Sequence, residues 1–98
     1  MKTVWKFTIP LRDVVSIVMP RGAEIIHVAN QFGTPTIWAL VDPAESLVNR
    51  EFRFAGTGHL IPEHHLGKHV GSFLMDGGSL VFHIFETQAS QIDNGLKS

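Results

Sequence analysis

Apolar side chains recur in this chain at every second position, in short runs cut by proline and glycine. Nowhere do they keep the three- and four-residue spacing of an amphipathic helix over the roughly 10 or more residues that such a helix needs. A period of two places alternate side chains on opposite faces of an extended backbone, so this chain is confined to strands and turns. Trp5, Phe7 and Ile9 alternate with Val4, Lys6 and Thr8 until Pro10 ends the run. Val15, Ile17 and Met19 repeat the pattern up to Pro20-Arg21-Gly22, a turn signal that predicts a hairpin partner over 24–30. In that partner Ile26 and Val28 share one face, and Ile25, His27 and Ala29 share the other.

The unbroken apolar run within 36–41 suits a central strand buried on both faces. Beyond the turn at 42–46, Phe52 and Phe54 alternate with Glu51, Arg53 and Ala55, which points the two phenylalanines inward. The stretch 56–68 has neither periodicity, although a single helical turn fits at Pro62, where the missing N–H costs nothing. Val70 to Met75 reads as a strand, and Asp76-Gly77-Gly78 is a hairpin signal because primed turns need positive φ angles. Ser79 to Glu86 closes that hairpin, with Leu80, Phe82 and Ile84 opposite in face to Val81, His83 and Phe85. The whole reads as an all-β fold, a small antiparallel β-sandwich or barrel of six to seven short strands. One domain spans residues 1–87, and the polar, aperiodic residues 88–98 read as a flexible tail.

Composition narrows the function classes. Eight Lys and Arg against nine Asp and Glu leave a formal charge of −1, which argues against general nucleic-acid binding. The absence of cysteine removes disulfides, thiolate metal sites and a thiol nucleophile. No apolar run approaches the roughly 20 residues of a membrane-spanning helix, and the opening passes straight into a strand pattern. An intracellular protein without a membrane role is the expectation. Strands apolar on both faces, above all 37–41 and 80–85, carry more apolar surface than one small sheet buries, which predicts a homo-oligomer.

The chemistry-bearing segment is Gly56-Thr57-Gly58-His59, directly after the Phe52/Phe54 strand. Backbone amides of a glycine-rich turn converge on an anion without obstruction, and Arg53 adds a bidentate phosphate contact from the preceding strand. The plainer reading of the same glycines is a tight turn, and the segment lacks the lysine and following helix of a P-loop. Trp38 offers an indole for base stacking and His83 an imidazole for hydrogen bonding, although both residue types also serve ordinary packing in strands. His59, His64, His65 and His69 with Glu63 have the chemistry of metal ligands. Adjacent His64 and His65 point apart in extended structure, so no metal site and no cofactor is assigned. Ser16, Ser46, Ser72 and Ser79 lack a nucleophile-elbow context, and the carboxylates are scattered, so no catalytic residue is assigned either.

Several stretches resemble a family of small uncharacterised proteins encoded mainly by bacteriophages. They are Lys2-Thr3-Val4-Trp5-Lys6-Phe7 with Ile9-Pro10, Met19-Pro20-Arg21-Gly22-Ala23, Trp38-Ala39-Leu40-Val41-Asp42-Pro43, Gly56-Thr57-Gly58-His59, Gly71-Ser72-Phe73, and Gly77-Gly78-Ser79-Leu80-Val81-Phe82-His83-Ile84-Phe85-Glu86. The likeness covers most of residues 2–86 and departs from the pattern between Leu60 and His69. It implies a phage accessory protein acting in the host cytoplasm, and it carries no activity from which a catalytic residue transfers. Three functions are then expected in descending order. The first is sequestration of a small phosphate-bearing ligand, such as a nucleotide immune signal of the host, by Arg53, Gly56, Thr57, Gly58, His59, Trp38 and His83. The second is a structural or host-protein-inhibiting β interaction module. The third is a nucleotide hydrolase with His59 and His83 as general acid and base.

Overall fold

The computed structural model describes residues 1–88. Apart from Gln88, the tail read at 88–98 lies outside the described residues. Seven strands form: β1 (Thr3–Thr8), β2 (Val14–Pro20), β3 (Glu24–Gln31), β4 (Thr34–Val41), β5 (Leu47–Gly56), β6 (His69–Met75) and β7 (Leu80–Glu86). They make two antiparallel sheets, β1-β4-β3 and β2-β5-β7-β6. The fold is thus the sandwich of the two architectures expected, and its inner faces supply one core. Phe52, Met19, Ile37 and Val41 are fully buried there, with Val15, Ile17, Phe54, Phe73 and Ile84 beside them. Each is an apolar member of an alternating run, so the period of two selects the core directly.

Three local expectations change. The Pro20-Arg21-Gly22 turn does not close a hairpin: β2 pairs with β5 and β3 with β4, so the turn carries the chain from one sheet to the other. Ala23 N–H closes it on Pro20 O at 3.1 Å, and Gly22 supplies a φ of 80°. In β3 the alternation is broken by a bulge, because Ile25 pairs with Ala39 while His27 pairs with Trp38. Ile26 is the extra residue and is 51% exposed, so it does not share an inward face with Val28. Finally, β4 is central in its sheet, but beyond the buried Thr36 its outer side is only partly covered. Ile37, Ala39 and Val41 show no exposure, whereas Trp38 and Leu40 on the outer side are half-buried.

The sheets also touch at one border, where β6 approaches β3. A Cβ at Gly71 would lie 2.4 Å from Val28 Cγ2, so only glycine allows this approach. At the same end Arg50 crosses inward to Glu86 as a bidentate pair, Nε to Oε2 at 2.7 Å and Nη2 to Oε1 at 2.8 Å. Its Nη1 donates to Ala23 O at 2.6 Å, and the guanidinium lies 5.8 Å from the Phe52 ring centroid. Both side chains are largely buried, at 13% and 7% exposure. A buried pair of this kind persists only when its remaining donors are satisfied, as they are here.

Candidate functional site

The outer face of the β2-β5-β7-β6 sheet is built from the residues that the core alternation leaves over. Register places Ala55 opposite His83 and His83 opposite Ser72, giving one row across β5, β7 and β6. The neighbouring row is Arg53, Phe85 and His69. Thr57 extends β5 past its end by donating its N–H to Val81 O at 3.2 Å, which brings its side chain beside the first row.

The rows are linked by hydrogen bonds. His83 Nε2 lies 2.8 Å from Thr57 Oγ1, and its Nδ1 lies 2.8 Å from Ser72 Oγ. His69 Nε2 lies 3.3 Å from the same Ser72 hydroxyl, while its ring packs 5.2 Å from that of Phe85. A chain of alternating imidazoles and hydroxyls therefore runs His69, Ser72, His83, Thr57 across an exposed sheet face.

The Gly56 to His59 segment is a four-residue turn, closed by His59 N–H on Gly56 O at 3.0 Å, with Gly58 at φ 90°. The amides of Thr57 and His59 are thereby already bonded to backbone carbonyls. The His59 ring folds over Gly56, and a Cβ there would come within 3.0 Å of its Cε1. Residues 60–68 then return over the sheet, and the helical turn expected at Pro62 forms over Glu63–His65, with His65 N–H on Pro62 O at 2.9 Å. This return brings His65 Nδ1 to 3.4 Å from Arg53 Nη1. Arg53 is half-buried, its Nε has no hydrogen-bond partner, and among the described residues it has no carboxylate within ion-pair distance.

Of the seven residues singled out in the sequence, six thus gather on or beside one face: Arg53, Gly56, Thr57, Gly58, His59 and His83. Trp38 does not join them. It lies on the outer face of the other sheet, between Lys6 on β1 and His27 on β3, with the His27 ring 5.2 Å away. No group of three His, Asp or Glu side chains among the described residues is arranged to hold a metal ion.

The family model described as Domain of unknown function (DUF7352) matches residues 1–95. The chain belongs to this family. The DUF7352 match takes in both sheets and the whole polar face. No curated protein and no solved structure matched the chain. Within the DUF7352 domain the residues of this face that sequence reasoning weighed without assigning to the ligand site are Ser72, His65 and His69. Ser72 carried a signal in retrospect, since in the β6–β7 hairpin set by Asp76-Gly77-Gly78 it falls directly opposite His83. His65 carried none, because its place depends on the path of an aperiodic loop.

Proposed function

We propose that the protein binds and sequesters a small phosphate-bearing ligand on the outer face of the β2-β5-β7-β6 sheet. Arg53 is the principal contact, and Thr57, His59 and His83 are hydrogen-bonding partners beside the Gly56 to Gly58 turn. The observation that carries this reading is the state of Arg53: a half-buried guanidinium with an unbonded Nε and no carboxylate partner among the described residues. With no carboxylate beside it the guanidinium charge is left for an anion to meet, and a phosphate that reaches the terminal nitrogens adds a charge-assisted bond. The bonded amides of Thr57 and His59 shift the emphasis from backbone to side chains. Trp38, on the opposite surface, is left out of this site. The likeness to phage-encoded proteins supports a role as an accessory protein in the host cytoplasm, with a nucleotide immune signal as the ligand.

Calorimetry against inorganic phosphate, linear nucleotides and cyclic nucleotides tests the proposal. Binding by one member is expected, weakened about 10- to 100-fold by Arg53→Ala, the range set by a charge-assisted contact of about 1.5–3 kcal/mol. Failure of every member to bind would leave a second reading ahead, an interaction module that associates with itself or a host protein. Apolar exposure favours that alternative, with Phe32 at 99%, Leu60 at 93% and an open groove of about 500 Å³ lined by Val28, Phe73 and Leu74. Sedimentation at micromolar concentration separates the two: a monomer removes self-association.

A further inference from the structure

We infer that Ser72 is an activated nucleophile that takes an acyl group from activated esters, with His83 as its base and Thr57 as the residue that positions the base. A serine hydroxyl is a weak nucleophile unless a base within hydrogen-bond reach accepts its proton and a third group fixes the ring of that base. Ser72 Oγ lies 2.8 Å from His83 Nδ1, and Thr57 Oγ1 lies 2.8 Å from His83 Nε2. The three side chains come from different elements. β6 supplies Ser72, β7 supplies His83 directly opposite it in register, and the residue that follows β5 supplies Thr57. With Nε2–H donating to Thr57, Nδ1 carries the lone pair that Ser72 needs. Ser72 is exposed, so an ester reaches it without a conformational change.

The reaction balances within these groups. Ser72 Oγ bonds to the ester carbonyl carbon as its proton passes to His83 Nδ1. The C–O bond to the leaving group then breaks, the leaving group departs with the bonding pair as its anion, and His83 passes the proton to solvent. Acyl-Ser72, the leaving-group anion and one proton in solvent remain, with no oxidant or metal involved. The same face dictates the substrate class. The amides of Thr57 and His59 are bonded to Val81 O and Gly56 O, so neither stabilises the oxyanion of a tetrahedral intermediate. Only esters whose leaving group departs as a stable anion react, and the acyl-serine persists rather than turning over.

The test uses p-nitrophenyl acetate, which carries no phosphate, so its outcome is independent of the ligand reading above. A burst of about one p-nitrophenolate per chain is expected, with the acetyl mass located on Ser72 by peptide sequencing. His83→Gln should slow the burst by about 100-fold, the lower range for a positioned base. Thr57→Val should slow it less, and His69→Gln least, because its 3.3 Å contact with Ser72 is the longer of the two imidazole contacts. Ser72→Ala abolishes the serine adduct and Ser72→Cys restores acylation at that position. Purely structural roles predict no such difference between two small side chains. Acetylation confined to lysines and the amino terminus, or acylation of Ser72 at an unchanged rate in His83→Gln, overturns the inference.

Discussion

At the scale of single residues, the two arginines of β5 show how neighbouring positions in a strand acquire opposite fates. Arg50 faces inward and is saturated by Glu86 and Ala23 O, while Arg53 faces outward and keeps an unbonded Nε. Removing one member of the buried pair strands the other, so Glu86→Ala should cost about 3–5 kcal/mol in denaturant unfolding. The double replacement Arg50→Met with Glu86→Leu should lose much less, because apolar groups of similar volume need no partner. Equal losses in the single and the double variant would show that the pair is not the source. This contact was not legible in the sequence, since residues 36 positions apart in the chain carry no mutual signal until strand register is known. Arg53 was legible as an outward residue, because it alternates with two phenylalanines.

At the scale of elements, turn chemistry decides more than strand composition does. The β3–β4 hairpin turns through Phe32 at φ 52° and Gly33 at φ 85°, the pair of positive angles that a type I′ turn demands. Glycine meets that demand freely, but phenylalanine pays about 1–2 kcal/mol for a left-handed backbone. Its side chain is 99% exposed and returns nothing by burial. Phe32→Asn supplies the residue that such turns favour, so the melting temperature should rise by roughly 4–8 °C for each 1 kcal/mol of strain relieved. An unchanged or lower melting temperature in scanning calorimetry would count against this account of the turn. The sequence revealed the Asp76-Gly77-Gly78 hairpin, whose strands do pair, and it misread Pro20-Arg21-Gly22. Both stretches carry proline or glycine signals, and such a signal specifies that the chain turns without specifying which strand comes to lie beside it. The bulge at Ile26 was hidden for a related reason: a single extra residue inverts the alternation that follows.

At the scale of the molecule, the chain passes between sheets three times, after β1, after β2 and after β4. Neither sheet is therefore a contiguous piece of chain, and neither buries its inner face alone. Unfolding should be one cooperative transition. Trp5 and Trp38 both lie in the β1-β4-β3 sheet, so tryptophan fluorescence reports that layer while far-ultraviolet dichroism reports both. The two midpoints in urea should coincide, and a separation beyond error would mean that the layers melt independently. The all-β architecture was legible, as a sandwich or a barrel, because the core residues of β2, β4 and β5 are spaced two apart; which of the two forms depends on strand pairing that the alternation does not carry.

The rows that carry Arg53 and His83 share their strands with Phe52, Phe54 and Ile84, one step away in each case. No register shift separates β5 from β7 along that shared length. The polar face and the core are consequently two interleaved messages written in one reading frame. Exchanging one outward letter leaves the inward message intact, so the surface chemistry is free to diversify by point substitution. Inserting or deleting one residue in β5 or β7 transposes the two messages, sending phenylalanines to solvent and arginine to the interior. Among relatives of this domain, length differences should therefore collect in the turns and in the 57–68 loop, and the paired stretches of β5 and β7 should keep their length while their outward residues vary.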